Sequence, residues 1–188
     1  MVTPVSCPFG WLFPLSKHLP YRGRPEGLSF YYSLVYLSTK ALNSVEAFDY
    51  ALCDGELVRL GGRRPSFTDL KKGSENFHIV TLPMEESMAA FCAAAGKKSG
   101  GQTCFIDKSQ SGLDLIYFTC LPWVELTGLT NERDMDRDDA IPRLAWGRYR
   151  EENGRKRLGM SIELNHRFAD GVHIGMFVSA LEGLMEGL

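Results

Sequence analysis

Near its C-terminal end the chain reads Asn165-His166-Arg167-Phe168-Ala169-Asp170-Gly171. A neutral imidazole titrates near pH ~6.5, so a histidine fixed in one orientation can take a proton from a hydroxyl. His166 leaves an alternating run, Leu158, Met160, Ile162 and Leu164, whose side chains share one face of a strand. That alternation predicts that His166 points from the buried side of the strand's end. Asp170 and Gly171 follow in a tight turn, where a carboxylate can steady the histidine's orientation. The same residues admit a plainer role: His166 as a satisfied core histidine, and Asp170 as the cap of a following helix.

Other constellations carry less chemistry. Ser33, Ser66 and Ser161 lack the G-x-S-x-G setting of a serine hydrolase. Glu163 and Asp170 form a conceivable carboxylate pair, but a solvated strand face and a helix cap account for them better. His166 and His173 are seven apart with Asp170 between them; a metal site needs a third ligand, and their turn-then-helix placement disfavours chelation, so no metal site is expected. Gly61-Gly62-Arg63-Arg64 is too short for a phosphate loop and reads as a turn with solvated arginines. Tyr31, Tyr32 and Tyr36 form a stripe that reads as core. Tyr31 and Tyr32 are also candidates for the wall of an acceptor pocket.

The elements that must position these residues follow from periodicity. Residues 1–28 hold five of the nine prolines and show no sustained period, so they read as an irregular N-terminal segment, with residues 29–188 as one domain. Ser29 predicts an N-cap, followed by a helix from Phe30 to about Val45. Phe48 to Leu60 predicts a hairpin turning at Asp54-Gly55. Phe77 to Leu82 predicts a strand ended by Pro83, and Met84 to Lys97 an amphipathic helix. Lys98 to Gly112 reads as a loop. Leu115 to Val124 predicts a buried strand that Pro122 interrupts. Thr130 to Asp139 reads as a solvated loop. Leu144–Arg150 and Arg157–Leu164 predict a second hairpin around Asn153-Gly154, and Val172 to the C-terminus a last helix with Phe177, Leu181, Leu184 and Leu188 on one face. Hairpins interleaved with three helices predict an α/β (α+β) two-layer sandwich with a mixed β-sheet and helices on one face.

The bulk properties exclude several classes. A chain of 188 residues can bury one sizeable core. A net charge of -2 and a pI near 6.1 give no basic field for nucleic acid. No apolar run reaches the roughly 18 residues of a membrane helix. Cys7 to Leu15 lacks the basic flank and cleavage site of a signal peptide. Five cysteines without C-x-x-C spacing argue against a disulfide framework or a zinc site, and a reducing cytoplasm is the expected compartment.

The pattern His-x-x-x-Asp-Gly leading into a final helix resembles the signature of chloramphenicol acetyltransferases, shared with the catalytic cores of dihydrolipoyl acyltransferases. Asp170-Gly171-Val172-His173-Ile174-Gly175 is similar to the acetyltransferase stretch Asp-Gly-Phe-His-Val-Gly. Leu121-Pro122-Trp123-Val124 resembles its Pro-Trp-Val strand, Asp54-Gly55-Glu56-Leu57-Val58 its hairpin, and Phe30-Tyr31-Tyr32 the opening of its helix. The resemblance runs from about Ser29 to the C-terminus. It implies the CoA-dependent acyltransferase fold and a homotrimer with active sites between subunits. It also implies acetyl-CoA as donor and a hydroxyl of a small molecule as acceptor, chloramphenicol by default, hence antibiotic resistance. By resemblance His166 is the general base in a direct transfer, and Asp170 is structural, paired in the family with an N-terminal arginine.

Three departures stand out. Asn165 replaces the first histidine of the family's usual pair. Gly128 occupies the position of a serine that stabilises the oxyanion, and Thr127 is the adjacent candidate donor. The first 28 residues do not match, so the family's N-terminal strand and arginine read as absent or replaced, by a true divergence or by a frameshift. Arg22 and Arg24 are the available stand-ins. These departures define an alternative: a catalytically impaired or non-catalytic relative that binds a ligand.

Overall fold

The computed structural model describes residues 9–15, 27–71, 73–131, 138–152 and 155–186. Three helices pack on one face of a mixed sheet. The helices are α1 (Phe30–Asn43), α2 (Met88–Gly101) and α3 (Gly171–Glu186). The sheet runs in the order β1 (Phe9–Leu15), β9 (Arg155–Glu163), β7 (Arg143–Gly147), β6 (Leu115–Leu121), β4 (Arg64–Leu70), β5 (Phe77–Thr81), with β8 (Arg150–Glu152) also pairing β9. The β4–β6 and β6–β7 pairs are parallel and the others antiparallel. A separate two-stranded hairpin joins β2 (Tyr50–Cys53) to β3 (Glu56–Arg59).

Local chemistry explains most boundaries. Ser29 caps α1, its Oγ accepting from Tyr32 N. Ser87 caps α2 in the same way, accepting from Ala90 N, so this helix starts four residues later than the expected Met84 and runs through Gly101. Asp54 and Gly55 both have positive φ, as a tight hairpin turn demands. Pro122 ends β6 at Leu121.

Two expectations are corrected. The N-terminal stretch read as irregular contains β1, which pairs antiparallel along β9 from Phe9↔Ile162 to Leu15↔Lys156. Pro14 is tolerated because β1 lies at the sheet's edge. An N-terminal strand is therefore present, whereas Arg22 and Arg24 lie outside the described residues, as do Asn153, Gly154 and Leu188.

The second correction concerns Arg63, read as a solvated arginine. It is 3% exposed. Its five N–H groups all reach backbone carbonyls: Phe48 at 2.5 Å, Leu113 at 2.8 Å, Tyr50 at 3.0 Å, and Leu115 and Ala140 at 3.1 Å. Burial lowers its pKa to about 10, against the pull of Asp49, Asp114 and Asp139. Gly61 and Gly62 take φ of 77° and 117° to turn the chain into this position. The strand that follows, β4, begins Arg64-Pro65 and was hidden by that proline and the glycines before it.

The core lies between sheet and helices. Leu158, Met160 and Ile162 of β9, Leu144 and Trp146 of β7, and Phe67 of β4 meet Leu34, Leu42, Phe91, Phe177 and Leu181 there.

Candidate functional site

The candidate residues fall into two places. The first is the turn after β9. The strand ends at Glu163, and His166 stands in the turn spanning 166–168 that follows. His166 is exposed. The expectation that it points from the buried side is corrected: alternation stops with the strand, and the turn carries the imidazole outward.

Asn165 builds that turn. Its carbonyl accepts from Phe168 N at 3.0 Å and Ala169 N at 3.3 Å, and its Oδ1 accepts from Arg167 N at 3.1 Å. Its Nδ2 donates to the carbonyl of Asp139 at 3.0 Å. Asp170 closes the turn as the cap of α3. Its carbonyl accepts from Ile174 N at 3.3 Å, and its Oδ1 accepts from Gly171 N. His173 reaches back, its Nδ1 accepting from Asp170 N at 2.9 Å. His173 thus makes the back-bond that Glu or Gln usually makes in a capping box, while the Asp170 carboxylate meets Gly171 N rather than His173 N.

The other face of β9 explains Thr127 and Gly128. Residues 124–131 form a strap across β7 and β9. Arg148 N donates to the carbonyl of Val124 at 2.6 Å, Ser161 Oγ to that of Leu129 at 3.0 Å, and Asn131 N and Nδ2 to Glu163 Oε2 at 2.8 and 2.6 Å. The strap lies so close that a Cβ on Gly147 would meet the Val124 carbonyl oxygen at 2.5 Å, and one on Gly159 the Leu126 oxygen at 2.0 Å. Glu163, expected on a solvated face, is 2% exposed beneath it. Thr127 and Gly128 are exposed, and a Cβ on Gly128 would meet nothing within 4 Å.

The second place is a cleft of about 990 Å³ at the ends of β4, β6 and β7 and the start of α1. Phe30, Tyr31, Phe77, Trp123 and Trp146 are among its walls. Tyr31 packs on Trp146 and Phe67 with ring centroids 5.7 and 5.8 Å apart, and its hydroxyl donates to the carbonyl of Thr68 at 2.5 Å. Burial holds that hydroxyl well above the usual tyrosine range, against the lowering effect of the Thr68 bond. Burial likewise pushes the Cys120 thiol, also in the cleft, up to about 12. Tyr32 does not line the cleft; its hydroxyl donates to Asp69 Oδ2 at 2.6 Å. His166, Asp170, Gly171, Thr127 and Gly128 lie outside the cleft lining.

Of the candidate site residues, Tyr31 lines the cleft, whereas Tyr32 and the histidine turn do not. Sequence reading missed Thr68, Asp69 and Trp146. Asp69 lies on the strand concealed by Pro65. Trp146 was legible as a strand residue but carried no sign of a cleft.

Comparison with known proteins decides the family. A family model described as chloramphenicol acetyltransferase matches residues 19–182. The chain belongs to the chloramphenicol acetyltransferase family. It is 25% identical over 166 residues to the chloramphenicol acetyltransferase of Bacillus pumilus, covering 87% of this chain and 76% of that protein. A solved structure titled chloramphenicol acetyltransferase superposes with a TM-score of 0.86 at 18% identity, covering 97% of this chain and 89% of that one. A dihydrolipoamide acetyltransferase from Azotobacter vinelandii superposes at 0.72 with 13% identity, covering 97% and 82%. The fold is that of the CoA-dependent acyltransferases, and the chain is an acyltransferase. No helix among the described residues is long and apolar enough to cross a membrane.

Proposed function

We propose that this protein acetylates a hydroxyl of a small molecule, with acetyl-CoA as donor and chloramphenicol as the default acceptor. The observation that carries this reading is the division of the site. An aromatic cleft of substrate size has no histidine among the described residues that line it, while His166 stands exposed on a braced turn elsewhere. In a homotrimer, His166 of the partner subunit completes the cleft that Tyr31 and Trp146 wall. Residues 29–188 are the catalytic domain, to which β1 adds a strand.

In the reaction, a ring nitrogen of His166 takes the acceptor's hydroxyl proton as the oxygen attacks the thioester carbonyl. The tetrahedral intermediate collapses, the carbon–sulfur bond breaks, and the departing thiolate takes the proton back from the imidazolium. Transfer is direct, with no acyl-enzyme. Asp170 acts through the turn and α3 and does not touch the acceptor. The oxyanion falls to Thr127 or to backbone groups of the strap, because Gly128 offers no side-chain donor. The protein works in the cytoplasm, where it would confer resistance to an antibiotic acceptor.

Gly128 favours a second reading, a catalytically impaired relative that binds an acceptor and turns it over slowly. One experiment separates the two: thiol release from acetyl-CoA with chloramphenicol, for wild type and His166→Ala, alongside light scattering. A fast wild type, a dead variant and a trimer support the first reading. Equal rates remove His166 from the mechanism, and a stable monomer removes the shared site.

A further inference from the structure

The cleft holds a charge that its aromatic walls do not explain. Asp69 and Glu75 both line it. Asp69 sits on β4 two residues beyond Phe67, on the face turned toward the helices. It is fixed there by the Tyr32 hydroxyl on Oδ2 at 2.6 Å and by Leu70 N on Oδ1 at 2.9 Å. An ionised carboxylate has about four acceptor positions, so both oxygens can still accept.

No cation among the described residues pairs with it. Arg148 also lines the cleft but forms no ion pair with Asp69 or Glu75. His78, the cross-strand neighbour of Asp69, has its Nε2 bonded to Ser99 Oγ at 3.0 Å. Burial and the Asp69 bond both push the Tyr32 hydroxyl above its usual range, so it remains a committed donor. The result is a half-buried carboxylate, oriented but without a cationic partner among the described residues, in a cleft walled by Tyr31, Phe77 and Trp146. Such a group discriminates strongly. It disfavours an acceptor that presents an oxygen or an apolar edge to it, and it favours one that brings an N–H donor, best a cation.

We propose that Asp69 is a specificity-determining residue that selects acceptors combining an aromatic or apolar body, a hydroxyl and a protonated amine. This rests on reading the cleft as the acceptor pocket. The chain would then act best on amino alcohols, with Glu75 at the mouth reinforcing the preference.

The test compares two compounds that share a ring and both hydroxyls: chloramphenicol, whose side-chain nitrogen is an amide, and the free amine left when its dichloroacetyl group is removed. Binding of each to the full chain is measured by calorimetry for wild type, Asp69→Asn and Asp69→Val, with melting curves as a check on folding. Wild type should bind the amine about tenfold or more tightly than the amide, as expected of a charge-assisted hydrogen bond. In either variant that folds, the ratio should fall to within about twofold of one. A wild-type ratio at or below one, or a ratio that survives in a folded variant, overturns the assignment. If neither variant folds, sodium chloride decides: the amine's advantage in wild type must shrink with salt while amide binding holds, and a salt-insensitive advantage overturns it. Thiol release keeps the two readings apart. Turnover of chloramphenicol without amine preference sinks the role of Asp69 alone, whereas no binding and no turnover of either compound sinks acetyl transfer and this inference with it.

Discussion

The cleft and the histidine turn are shaped by different forces. Tyr31 and Trp146 are held from behind by ring contacts in a packed core, so the cleft's form follows from burial and side-chain volume. The histidine turn is exposed at its tip, His166 and Arg167, and rests on the core through Ala169 and Ile174 at its C-terminal side. Its form follows from hydrogen bonds made by Asn165, Asp170 and His173 to backbone groups. A packed wall tolerates loss of one polar group but not of volume. A hydrogen-bonded turn tolerates changes at its tip, including the imidazole, without loss of stability. Binding and proton transfer should therefore fail separately, and mutation can test that separation.

The largest effect should come from the tip. His166→Ala removes the proposed base and should lower kcat by roughly 10²–10⁴-fold. Because His166 is exposed, the melting temperature and acceptor affinity should stay at wild-type values. A variant that loses affinity as well would mean that the imidazole contributes to holding the acceptor in addition to taking its proton. Next comes the oxyanion. The open space around Gly128 accommodates a serine without displacing any neighbour. Gly128→Ser should raise kcat, by at most the roughly 10²–10³-fold that one oxyanion donor is worth, and leave KM unchanged. No change in kcat would show that the strap's backbone or Thr127 already fills this role.

The strap itself gives the third test. A Cβ at residue 159 would lie 2.0 Å from the Leu126 oxygen, which is backbone and cannot rotate away. Gly159→Ala should cost about 1–3 kcal/mol of stability, read as a lower melting temperature. It should also lower kcat, because Thr127 and Gly128 move with the strap. Gly128→Ala, placed in open space on the same segment, should stay within about 0.5 kcal/mol of wild type. If both alanines behave alike, the close approach does not govern the strap.

Legibility in the sequence tracked the origin of each feature. Elements announced by caps, turns and periodicity were readable: Ser29 before α1, Asp54-Gly55 between β2 and β3, and the apolar steps of α3. Features decided by distant partners were not. Arg63 reads as a solvated arginine until five carbonyls from three separate segments are known to converge on it. Glu163 reads as surface until the strap covers it. β1 reads as irregular because its order comes from pairing with β9, some 150 residues away. The histidine turn was legible because most of its hydrogen bonds lie within residues 165 to 173; its ties to Asp139 and Asp138 were not. The cleft was not, because Tyr31, Asp69, Cys120 and Trp146 come from four elements and meet only in the fold.

The smallest effect, and the finest test of how the turn is held, concerns Asp170. It is exposed, and no ion pair joins it to a cation among the described residues. What it holds is the first turn of α3, through its own Oδ1 to Gly171 N and through its backbone N–H to His173 Nδ1. Removing a cap of this kind costs about 1 kcal/mol. Asp170→Ala should therefore lower the melting temperature by a few degrees, and the rate should fall modestly as the turn carrying His166 relaxes. Asp170→Asn keeps the capping oxygen and gives up the charge, whose interaction with the helix terminus is worth roughly 0.3–1 kcal/mol at an exposed site. It should recover most of the stability and most of the rate. A second mutation sharpens the point. His173→Ala removes the back-bonding acceptor while leaving Asp170 in place, and should cost no more than Asp170→Ala. If Asp170→Asn melts as low as Asp170→Ala, capping is not the role of this carboxylate, and a cation must meet it in the folded protein. That outcome would tie the histidine turn to charge pairing rather than to local hydrogen bonds, and the contrast with the packed cleft would no longer hold.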